Sequence, residues 1–281
     1  MPYLIALILL LGFVSVGAAE ETRPRPALDL TAQAVTTPGR PAAGEPLYVS
    51  ARGLITDELA PGMFINPTSG TLRRYQFDLE YCALIFHVPV TDSGGVTQDQ
   101  TAVGHGLIAG FGVTDWFEVG AAGLLADLPG DDDNPTVGGP MARLRLLRDE
   151  NLLPELAVGG VALFGDEPLE KYTAYIAASK AFWRSETGVL RVARAHVGFR
   201  QAWIPDGRDG SFGYIGAELG LPRHVFLVGE VSNKSGGVQK VPWAAGVQVR
   251  HPDGFGFTLA AVQTGNLNEL AVYVGVGINF Q

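Results

Sequence analysis

Cysteine is almost missing from this chain: Cys82 is the only one in 281 residues. That excludes an intramolecular disulfide framework and any Cys-x-x-Cys or zinc-ribbon site. Charge is scarce as well, at 17% of residues against the roughly 25% usual for a soluble domain. The 20 Lys and Arg are outnumbered by 29 Asp and Glu, for a net charge of -9, so no nucleic-acid partner is expected. After the first 19 residues there is no apolar run long enough for a transmembrane helix. Gly104-His105-Gly106 lies in a strand pattern and opens no helix, which removes a phosphate-loop reading.

Glycine, in contrast, is abundant, with 37 residues. The first segment, 1–19, reads as a secretory signal: Leu4 to Val16 is almost wholly apolar and ends on Gly17-Ala18-Ala19. An uncleaved anchor is the alternative, since Met1-Pro2-Tyr3 carries no Lys or Arg. Residues 20–52 are rich in Pro, Ala and Thr without periodicity and read as a flexible periplasmic linker. Residues 53–74 form a periplasmic pre-barrel segment with turn signals at Pro61-Gly62, Asn66-Pro67 and Ser69-Gly70. It also holds the apolar cluster Met63-Phe64-Ile65, which is expected to pack in or against the mouth of whatever follows.

Residues 75–281 alternate apolar with polar or small residues at period two, which means strands. Phe255-Gly256-Phe257-Thr258-Leu259 shows it clearly. Twelve strands are expected, at 75–89, 103–113, 116–127, 140–149, 154–165, 171–183, 189–203, 211–221, 224–232, 242–251, 255–264 and 269–280. Their connections tend to alternate long and short, beginning with a long loop from Val90 to Ala102. An even strand count with that alternation is what an up-and-down transmembrane barrel of a Gram-negative outer membrane requires, with both termini periplasmic. A soluble sandwich or lipocalin-like barrel would carry a highly charged outer face, whereas here the non-apolar face is largely Gly, Ala, Ser and Thr.

If Phe77, Leu79 and Tyr81 face lipid, Asp78 and Glu80 face inward. The same alternation turns Glu118, Arg143, Arg145, Arg194, His196, Arg200, Glu218, Glu230 and Arg250 inward, and Lys180 is assigned to the same lumen-lining network. An Arg or Lys facing lipid at the midplane would cost about 2–4 kcal/mol. These groups either pair and hold the barrel together or line an aqueous constriction. The C-terminal run with Tyr273, Gly275, Ile278 and Phe280 resembles the assembly signal of outer-membrane barrels, with Gln281 following it. Outer-membrane lipid, lipopolysaccharide and the barrel-assembly machinery are therefore the expected partners.

Chemistry is thinly represented. A barrel hydrolase needs a Ser, His and Asn or Asp constellation. Among the five histidines only His87 and His105 flank a loop that carries Asp92 and Ser93. Asp131-Asp132-Asp133-Asn134 lacks the spacing of a calcium loop and reads as a solvated acidic loop. No cofactor, metal site or catalytic residue is expected.

Several short stretches, Gly112-Val113-Thr114-Asp115-Trp116-Phe117-Glu118-Val119-Gly120, Pro154 to Gly159, Tyr175 to Phe182 and Gly216 to Leu219, resemble the YjbH-like outer-membrane proteins associated with exopolysaccharide production. Members of that family are much longer and often lipidated, so the resemblance covers a single barrel. It implies a barrel fold and, with it, polysaccharide-export components as partners. The readings of function are therefore a passive pore for small solutes, an envelope scaffold in exopolysaccharide export, and a barrel hydrolase as the third.

Overall fold

The computed structural model describes residues 52–280, apart from short stretches at 57–58, 92–94, 131–133, 151, 168, 186, 206–208, 236–237 and 266–268. The expectations for the signal segment and for linker residues 20–51 lie outside the described residues, as do Asp92, Ser93 and Asp131 to Asp133.

Two short strands, β1 (Leu54–Ile55) and β2 (Pro61–Gly62), pair with each other. They precede twelve antiparallel strands: β3 (Phe77–Thr91), β4 (Thr97–Gly112), β5 (Phe117–Asp127), β6 (Thr136–Leu147), β7 (Glu155–Gly165), β8 (Lys171–Arg184), β9 (Val192–Trp203), β10 (Gly210–Gly220), β11 (Val225–Ser232), β12 (Trp243–Arg250), β13 (Phe255–Gln263) and β14 (Ala271–Phe280). Each pairs with its neighbours in sequence, and β14 closes on β3 from Phe280↔Phe77 to Val272↔Ile85. The twelve-strand up-and-down barrel read from the sequence is thus the observed fold. Closure leaves no unpaired edge.

The first hairpin differs most from expectation. The run Val90 to Ala102, read as a loop, is mostly strand: β3 and β4 stay paired out to Thr91↔Thr97. Residues 97–101 are exposed, so this hairpin stands in water on both faces, where a run of Thr, Gln and Asp gives no apolar alternation. The Thr91 and Thr97 hydroxyls lie 2.9 Å apart at its tip. β6 also starts earlier than expected, at Thr136, although the stretch carries Gly139-Pro140. The β6–β7 ladder skips those two residues, as an imino acid without an N–H requires.

An even strand count puts both barrel termini at one end, here called the turn end, with connections at 113–116, 148–154, 185–191, 221–224 and 251–254. The opposite, loop end carries 92–96, 128–135, 166–170, 204–209, 233–242 and 264–270. Length contrast between the two ends is slight, because 148–154 and 185–191 are as long as most loops.

Outward positions form an apolar belt. Leu107, Leu125, Val197, Ile215, Leu227, Leu259, Val272 and Val276 are all exposed, Ile215 to 60%. Aromatic rings border the belt at both ends: Phe77, Phe111, Trp116, Phe117, Trp183 and Phe280 at the turn end, Phe164, Tyr172, Trp203 and Trp243 at the loop end. Such a belt between two aromatic girdles is the exterior of a lipid-embedded barrel. Ile215 pairs with Val197 in the middle of it, so Ile215→Arg should cost about 2–4 kcal/mol in urea unfolding from lipid vesicles. No loss of stability would show that this face is not in lipid.

Candidate functional site

The interior is filled by the chain itself. Leu59, Ala60, Met63, Phe64, Ile65 and Leu72 are at most 2% exposed, and they are enclosed by the barrel wall. Leu59 to Ile65 share one apolar core with Leu84, Ile108, Val137, Val161, Leu163, Val228, Val262 and Tyr273 of the strands. Phe64 meets Tyr273 edge to face, with centroids 6.4 Å apart. The plug turns tightly: Leu59 N–H donates to the Thr56 carbonyl at 2.9 Å and Met63 N–H to the Asn66 carbonyl at 3.0 Å. Gly216 on β10 is a glycine because any Cβ there would collide with the Met63 sulfur.

Polar wall residues hold this plug from eight of the twelve strands. On β11, Glu230 accepts the consecutive backbone N–H groups of Phe64 (2.8 Å), Ile65 (2.6 Å) and Asn66 (3.1 Å), and also the Asn66 side-chain amide (2.7 Å). Burying a carboxylate is tolerated when several N–H donors satisfy it. On β6, Arg143 donates to the carbonyls of Gly70 and, at 2.7 Å, Pro61, and to the Tyr175 hydroxyl of β8 at 2.8 Å. Arg200 of β9 donates to the Asn66 side-chain oxygen at 3.0 Å, Tyr214 of β10 to the Pro67 carbonyl at 2.8 Å, and Gln248 of β12 to the Met63 carbonyl at 2.6 Å. Ser179 of β8 accepts from Ser69 N–H, and Glu118 of β5 accepts the Leu72 N–H at 2.9 Å.

Arg52 is the remaining anchor. Its guanidinium pairs with Asp78 and, at 2.6 Å, with Glu80 on β3, and with Glu118 at 3.1 Å on β5, all of them at most 3% exposed. The sequence reading ended the linker at Arg52, whereas the structure places its side chain inside the barrel. Setting aside Glu155, which meets Arg145 at the rim at 3.3 Å, the wall buries five carboxylates (Asp78, Glu80, Glu118, Glu218, Glu230) and four guanidiniums (Arg143, Arg194, Arg200, Arg250). Arg52 supplies the fifth cation and balances the set.

Asp78, Glu80, Glu118, Arg143, Arg145, Arg194, His196, Arg200, Glu218, Glu230 and Arg250 all lie on inward positions. They fall into two groups. The first touches the plug. The second joins wall to wall: Glu218 pairs with Arg194 and, at 2.5 Å, with Arg250, while His196 meets the Ser179 hydroxyl at 2.8 Å. Asn66 was read only as part of a turn, and the uncharged strand residues Ser179, Tyr175, Tyr214 and Gln248 were not singled out from sequence. Their signal was parity, since Gln248 shares a face with Arg250, and Tyr214 with Glu218.

Lys180 is a correction. It pairs with Ala195 on the outer face, opposite in parity to the inward Ser179. The register shift of this ladder comes only after Lys180, between Ala181 and Trp183. Its amine meets Asp149 at 2.7 Å at the turn end, where Arg184 also pairs with Asp149 at 2.6 Å. Partial burial pushes the Asp149 carboxyl up, but the Lys180 hydrogen bond, the Ala181 N–H and the Arg184 charge outweigh it and hold the group below its ordinary value. The stability from this cluster is therefore full at neutral pH and is lost as pH falls through the carboxylate range, below about 4. Asp149→Asn should flatten that acid-side dependence of the urea midpoint. An unchanged slope in the variant would contradict it.

The residues of the C-terminal run divide between faces. Tyr273 and Gly275 point inward, whereas Ile278 and Phe280 point outward, Phe280 stacking on Phe77 at 6.0 Å. The histidines of the hydrolase reading do not converge. His105 stacks on Tyr81, whose hydroxyl lies 2.7 Å from its Nδ1, and His87 lies further out on the hairpin, 3.8 Å from Glu269. Among the described residues there is no group of side chains suited to hold a metal ion.

No protein-family model matches the chain, and no curated protein matches it. The YjbH-like resemblance thus finds no support there. Solved structures do match. The KdgM porin superposes with a TM-score of 0.53 at 10% identity, over 73% of this chain and 99% of that one. The KdgM porin in complex with disordered oligogalacturonate gives 0.51 at 10% identity, over the same shares. At that identity the likeness is one of fold: this chain has the closed barrel of a porin.

Proposed function

We propose that the protein is an outer-membrane channel for small solutes whose resting lumen is closed by its own residues 52–72. The observation that carries this reading is the plug itself. A twelve-strand barrel lies between the eight strands that side chains can fill and the sixteen or more that leave an open channel, and here the intervening space is taken by a removable N-proximal segment rather than by wall side chains alone. Wall groups hold it through hydrogen bonds and ion pairs, which water can replace when the segment leaves. The lipid-facing belt supports an outer-membrane location, reached through export by segment 1–19. Assembly by the barrel-assembly machinery, lipopolysaccharide around the belt and periplasmic termini at the turn end belong to the same reading.

The filled lumen also favours a second reading, an envelope scaffold that never conducts, which would suit the exopolysaccharide-export role. Planar-bilayer recording separates the two. The channel reading expects a mostly closed full-length barrel that opens transiently, and a steadily conducting one when residues 53–70 are removed. A barrel silent in both forms supports the scaffold.

A further inference from the structure

A cavity of about 640 Å³ opens at the turn end between the 185–191 and 221–224 connections. Its floor includes Val192 and Phe226, both part of the apolar core that encloses the plug. Its rim is basic, with Arg184, Arg191, Arg223 and His224 around it. Arg184 is engaged by Asp149. Among the described residues, neither Arg191 nor Arg223 has an ion-pair or side-chain hydrogen-bond partner.

Arg223 is placed by an unusual backbone. It and His224 both take left-handed conformations, at φ 61 and 63, in a turn closed by the Leu221 N–H donating to the Val225 carbonyl at 2.7 Å. Both Arg223 and Arg191 line the cavity. Two guanidiniums without partners among the described residues, each with a fork of donors, line a hollow with an apolar floor. That arrangement matches the oxygen pairs of a carboxylate or phosphate.

We propose that this vestibule is a binding site for a small soluble anion carrying carboxylate or phosphate groups, with Arg191 and Arg223 as its principal ligands and Arg184 and His224 on its rim. The cavity opens from the interior side of the strands, since Val192 and Phe226 face inward, which favours a dissolved anion over a lipid headgroup as occupant. Its role as the turn-end loading point of a conducted anion rests on the channel reading, while binding itself does not.

The test is calorimetric titration of the full chain in zwitterionic micelles with inorganic phosphate and, separately, citrate. Saturable binding of at least one is expected, weakened about tenfold or more by Arg191→Gln and by Arg223→Gln, with heat-modifiable gel mobility retained. Arg148→Gln, a turn-end arginine that stacks on Trp116 at 4.8 Å, should leave it unchanged. Binding equally tight in the Arg191 and Arg223 variants, no saturable binding of either anion, or saturation by phosphatidylglycerol in mixed micelles but by neither soluble anion would each overturn the site. If binding holds while the chain never conducts, the channel reading fails and the site stands.

Discussion

Deletion of residues 53–70 should convert a largely closed barrel into a continuously conducting one, with the single-channel current rising from near zero to a steady open level. The segment contributes Leu59, Met63, Phe64 and Ile65 to the shared core, and each such side chain is worth about 1.5–3 kcal/mol of burial. Its loss therefore lowers stability substantially. The barrel is held independently by its closed ring of antiparallel ladders, so the deleted form should still fold and show heat-modifiable mobility, with a lower urea midpoint. Glu230, Arg143 and Arg200 would lose their plug partners and hydrate, which only an open lumen permits. A deleted barrel that folds yet conducts no more than the parent would refute the plug as the closure.

The second large effect is expected at Arg52. Arg52→Met would leave Asp78, Glu80 and Glu118 facing one another in the interior without their shared cation. Breaking a buried pair in this way costs about 3–5 kcal/mol. The simplest relief is for the segment to leave and water to enter, so the variant should open more often, and the current should favour cations because the three carboxylates then line one side of the lumen. Neutralising the partners in the same chain, as Asp78→Asn with Glu80→Gln, should return much of the stability and remove the cation preference. A urea midpoint unaffected by Arg52→Met, or a triple variant no better than the single one, would show that the cluster does not hold the segment.

The barrel was legible because its signal is repeated: period-two alternation recurs through twelve segments, and small errors at one end of a strand do not disturb the rest. Where alternation fails, so did the reading. The first hairpin extends into water on both faces, so its polar residues looked like loop. Lys180 was placed inward against the alternation, since counting by twos from Tyr175 through Ser179 turns it to the outer face. The inward charges followed from the cost of placing them in lipid, but their partners did not, because those belong to a segment with no periodicity. Met63-Phe64-Ile65 announced that it needed cover. Arg52 was hidden at the edge of a Pro-rich stretch, and the inward set read from sequence, five acids against six Lys and Arg, gave no sign that a further cation was needed. The backbone donors that meet Glu230 leave no trace in residue type.

Gly216 and Met63 occupy one volume between them, the absent side chain of the first being the space taken by the sulfur of the second. The two positions are 153 residues apart in sequence, yet a side chain at 216 would require the Met63 side chain to move. A bulkier residue at 216 is accommodated most simply by a shorter one at 63. Coupling between a wall position and a plug position is thus built into the geometry, and it ties substitutions in the plug to those in the barrel that encloses it.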